Sequence, residues 1–105
     1  MILKYDIDIS KETIVENLKR LTNQVYKLLP NWEEAIDWKR PLTTIIEELA
    51  GMDRLFMYKQ EVFFSLLCKL EGLYLFKDES EFFIFRKTIF ECLNLIGELI
   101  RYVTE

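Results

Sequence analysis

A chain of 105 residues, 50% apolar and 30% charged, is too hydrophobic for a disordered segment and long enough to bury one core. Its net charge of −4, with the cations scattered as Lys19-Arg20, Lys39-Arg40 and Arg86-Lys87, makes nucleic acid an unlikely partner, because a nucleic-acid-binding face needs clustered cations to displace counterions. Histidine is absent, which excludes Ser-His and Cys-His nucleophile pairs, most zinc sites and the usual near-neutral general base.

The first nine residues differ in kind from the rest. Leu3, Tyr5, Ile7 and Ile9 alternate with Lys4, Asp6 and Asp8, the two-residue period of an extended strand. No second strand follows, so residues 1–9 are predicted as an extended arm, which either lies on the helices or pairs its free edge with another chain. No apolar run follows Met1 as it would in a signal peptide, and no stretch is long enough to cross a bilayer. No membrane role and a cytoplasmic location are therefore expected.

Residues 10–105 read as a single all-α domain, a bundle of four to five helices. Ser10 is the predicted N-cap of the first, with Ile9 and Ile14 as its hydrophobic staple. Ile14, Leu18, Leu21, Val25 and Leu28 then form one apolar stripe, which Pro30 is expected to end. Asn31 and Glu34 fit a capping box, so a short helix is predicted to begin at Trp32. Pro41 is suited to the first position of the next helix, which carries Leu42, Ile45, Ile46 and Leu49 up to Gly51.

At Gly51 the pattern predicts a break, with Gly51 just past one helix and Asp53 as the N-cap of another. That helix carries Leu55, Phe56, Val62, Phe63, Leu66, Leu67 and Leu70, and Gly72 marks its end. Lys77-Asp78-Glu79-Ser80 is the clearest loop. A last helix of more than six turns follows, with Phe82, Phe85, Ile89, Leu93, Ile96, Ile100 and Val103 on one stripe. Gly97 inside it predicts the close approach of another helix backbone, since glycine there is otherwise unfavourable by about 1 kcal/mol. Cys68 and Cys92 fall in apolar stretches without a CxxC pattern and are expected as two buried, reduced thiols.

Carboxylates are the chemistry that remains. Glu33, Glu34 and Asp37, with Glu47 and Glu48 on the next helix, are of a type that holds Mg²⁺ through oxygen ligands. Glu33-Glu34-Ala35-Ile36-Asp37 followed by Glu47-Glu48-Leu49-Ala50-Gly51 faintly resembles the ExxE and ExxD pairs of all-α nucleotide pyrophosphohydrolases of the MazG kind. That resemblance implies Mg²⁺-dependent nucleotide hydrolysis with Glu33, Asp37, Glu47 and Glu48 as ligands, but Gly51 stands where the second pair has its Asp.

The aromatic residues point elsewhere. Trp32 and Trp38 flank an acidic turn and are followed by Lys39-Arg40, and Trp and Arg are enriched where binding energy concentrates in interfaces. At six positions apart on one helix the two rings would face about 120° apart, one towards the core and one outwards. Phe83, Ile84, Phe90 and Leu95 lie outside the last helix's stripe and call for another burial partner, a second subunit or, for some of them, the N-terminal arm.

Two functions follow as expectations. The first is a non-enzymatic interaction protein without a cofactor, self-associating as a dimer and binding another protein through Trp32, Trp38, Arg40, Phe83, Ile84 and Phe90. The richness in Ile, Lys, Phe and Tyr fits an AT-rich coding sequence, so a phage or mobile-element regulator or inhibitor of a host enzyme is compatible with it. The second is a binder or Mg²⁺-dependent hydrolase of a small anionic ligand such as a nucleotide, with Trp32 or Trp38 stacking on a base and Lys39 and Arg40 holding phosphate.

Overall fold

The computed structural model describes residues 10–105; the alternating segment 1–9 and the Ile9 half of the staple lie outside the described residues. Within them all regular structure is helical: α1 (Lys11–Tyr26), α2 (Leu28–Glu33), α3 (Lys39–Ala50), α4 (Gln60–Gly72) and α5 (Phe82–Thr104), joined in part by 3-10 turns. Ser10 caps α1 as its type predicts, its Oγ accepting from Thr13 N at 3.2 Å, and Ile14, Leu18, Leu21, Val25 and Leu28 are all buried.

Pro30 acts one turn earlier than expected. A proline ring clashes with the carbonyl four residues back, here that of Tyr26, and α1 ends at that residue. The chain turns at Lys27 and restarts as α2, which holds Pro30 in its first turn where no N–H is needed. Pro41 likewise sits in the first turn of α3, two residues later than predicted.

The break near Gly51 is present, but its predicted mechanism is not. Gly51 keeps a right-handed φ of −67°, and no side chain caps the segment that follows. Residues Asp53–Lys59 form a 3-10 turn with a kink at Phe56 (φ −119°, ψ 31°). The kink accompanies the burial of the Phe56 ring, which stacks on Phe63 at 5.5 Å and meets Tyr102 at 6.3 Å.

The four long helices run up, down, up and down, with α1 beside α5, α5 beside α4, α4 beside α3 and α3 beside α1. Tyr26 at the end of α1 meets Phe90 near the start of α5, as antiparallel packing requires. Arg20 and Glu48 join α1 to α3 at 2.7 Å, and Lys69 and Glu91 join α4 to α5 at 3.5 Å. Such exposed pairs contribute little, about 1 kcal/mol or less each. Burial of the side chains between the helices does most of the work; among the described residues every fully buried one is apolar.

Helix α5 buries Phe85, Ile89, Cys92, Ile96, Leu99 and Val103. Phe82, Leu93 and Ile100, predicted on this stripe, are only half-buried, while Cys92 and Leu99 take central places. Because α5 packs against both α1 and α4, its apolar arc is wider than one stripe, and the sequence pattern alone does not mark its centre. No helix among the described residues is long and apolar enough to cross a membrane.

Two single-residue expectations fail. A Cβ on Gly97 would meet nothing within 4 Å, so no neighbouring backbone explains this glycine. Gly97→Ala is therefore expected to stabilise the chain by about 1 kcal/mol, measured as a higher midpoint in urea denaturation. Cys68 is exposed rather than buried, because it lies on the outer face of α4. Burial holds the Cys92 thiol neutral, its pKa pushed up to about 12 from 9.0. A disulfide exchange reagent at pH 8 is expected to label Cys68 quickly and Cys92 only on unfolding. Because the raised pKa belongs to the folded state, the contribution of Cys92 to stability is fully present below pH 9 and lost as pH rises towards 12.

Candidate functional site

The residues singled out between positions 32 and 40 lie on a chain reversal. Helix α2 ends in a Schellman motif: Ile36 N donates to Asn31 O at 2.8 Å and Ala35 N to Trp32 O at 3.1 Å. The motif needs a left-handed residue, and Ala35 supplies it at φ 57° in place of the usual glycine. Asn31 and Glu34 thus belong to the end of a helix, and the capping box predicted to start one at Trp32 does not form. The N-cap position of α3 is Trp38, and the first turn is held instead from the residue before it, Asp37, whose Oδ1 accepts from Lys39 N at 3.0 Å and Arg40 N at 3.4 Å. Ala35→Gly is expected to relieve the strained backbone and raise stability by about 1 kcal/mol, read from thermal unfolding.

This reversal brings the two tryptophans together. They do not share a helix, so the expected 120° divergence does not apply, and both rings turn to the same side. Trp32 and Trp38 lie 5.4 Å apart, and each packs on the buried ring of Phe85, at 4.3 Å and 5.2 Å respectively. Phe76, from the connection between α4 and α5, closes edge-on against Phe85 at 6.1 Å. One buried ring near the start of α5 therefore supports three half-buried ones at one end of the bundle.

Outside these rings is an open cleft of about 550 Å³, lined by Trp32, Trp38 and Phe76 and by the polar side chains Asp37, Lys39, Lys77 and Glu79. Lys39 Nζ stands 5.7 Å from the centre of the Trp38 ring, within cation–π range. Apolar side chains at the same end stay in solvent: Leu75 is 77% exposed, Phe83 74%, Ile84 52% and Ile36 49%. Phe83 and Ile84 thus lack cover within the described residues, as their positions predicted. Phe90 and Leu95 do not, for both are half-buried against the core; Phe90 meets Tyr26 at 6.3 Å and carries the Arg86 guanidinium at 4.9 Å.

Lys39 and Arg40 part company. Lys39 lines the aromatic cleft, whereas Arg40 lies in a separate groove with Gln24, Lys27, Asn31, Pro41 and Thr44. The proposed phosphate clamp of Trp32, Lys39 and Arg40 is therefore not assembled in one place, and Lys77 is the second cation of the cleft. Of the acidic residues, Asp37 is committed to the first turn of α3 and Glu48 to Arg20, while Glu33 and Glu47 are exposed. Among the described residues no group of three or more Cys, Asp or Glu side chains is placed to hold a metal ion.

Sequence reasoning missed Phe76, Lys77, Leu75 and Ile36. Phe76 and Leu75 had the same signal as Phe83, large apolar side chains next to a polar loop, but their link to the tryptophans depends on tertiary packing. No protein-family model, curated protein or solved structure matches the chain.

Proposed function

We propose that the chain is a non-enzymatic interaction protein that self-associates and binds another protein through its tryptophan end. The observation that carries this reading is the exposure of Leu75 and Phe83, 77% and 74%, beside a half-buried tryptophan pair on a rigid base. Of the eight large apolar side chains exposed among the described residues, Ile36, Leu75, Phe83 and Ile84 lie at this end, and exposed apolar surface of this kind is a mark of interaction sites. Tryptophans that are partly buried and held by neighbours lose little freedom on binding, which suits them to the centre of an interface. Regulation or inhibition of a larger protein is the kind of role a small domain with such a surface serves.

Spectra of the ¹⁵N-labelled protein recorded over a dilution series test this. Concentration-dependent shifts are expected at Ile36, Leu75, Phe83 and Ile84, with Met57 and Tyr58 at the opposite end unmoved. Spectra that stay superimposable from the lowest to the highest concentration would remove the self-association.

A second reading rests on Lys39 and Lys77 sharing a cleft with two indole rings. It is a small anionic ligand, such as a nucleotide, with a base against tryptophan and phosphate on the lysines. Thermal melting with a nucleotide panel, with and without Mg²⁺, separates the two: a higher Tm supports the ligand, and an unchanged Tm throughout counts against it.

A further inference from the structure

We draw no further inference here: the strongest candidate, the outward face of α4, where Phe64 and Cys68 stand exposed one turn apart, is an apolar patch for which nothing in the structure shows what covers it.

Discussion

Phe85→Ala is expected to be the most damaging single substitution, lowering stability by about 3–5 kcal/mol. Phe85 is fully buried, and its ring is the shared contact of Trp32, Trp38 and Phe76. Truncation to alanine removes the transfer energy of the ring and leaves a cavity that three other large rings border. Small domains are stable by about 5–15 kcal/mol, so the loss is a large share of the total. Urea denaturation followed by tryptophan emission reads both consequences: a lower midpoint, and a native-state spectrum shifted to the red as the indoles meet water. The neighbouring Phe83→Ala is the control, since a ring 74% exposed contributes within about 0.5 kcal/mol. A loss of less than 1 kcal/mol in Phe85→Ala, with unchanged emission, would show that the tryptophans rest on something else.

Phe83→Glu has the opposite profile. Stability is expected to change by no more than about 0.5 kcal/mol, because the side chain already lies mostly in water. In the proposed self-associated form, binding between copies is expected to weaken by tenfold or more, about 1.4 kcal/mol or above, because the variant removes an apolar anchor and would place like charges opposite each other across a symmetric contact. Light scattering over a concentration series measures this. Tyr58→Glu, a residue 84% exposed at the other end of the bundle, is expected to leave association unchanged. Equal loss in both variants would point to general charge repulsion rather than to a surface at the tryptophan end.

How much of this was legible in the sequence depends on how local the determining forces are. Helix α1 was readable almost in full, because a serine cap and a stripe of alternating three- and four-residue spacings are both encoded within a few turns. The turn after Trp32 is disguised in the sequence for an equally local reason. Asn31 and Glu34 have the right spacing for a helix start, while the true signal, a left-handed residue at position 35, is carried by alanine and so is invisible in composition. Pro30 is legible as a breaker, but its clash falls four residues upstream, so α1 stops at Tyr26.

The candidate site was legible in residue type and not in arrangement. Trp32, Trp38 and Phe83 stand out as aromatic residues with no evident need in a small core. Their meeting with Phe76 and Lys77 depends on antiparallel packing that brings the α2–α3 turn beside the α4–α5 connection. The exposure of Cys68 and the half-burial of Phe90 were equally out of reach, since apolar neighbours in sequence do not say which flank of a helix a second helix covers.

The claim that the tryptophan end binds protein is tested most directly by isotope-filtered contacts between copies, recorded on a mixture of labelled and unlabelled chains at high concentration. Intermolecular contacts are expected from the Phe83 ring and from the methyl groups of Ile36, Leu75 and Ile84. Contacts confined to Met57, Tyr58 and Phe64, or none at all, would contradict it.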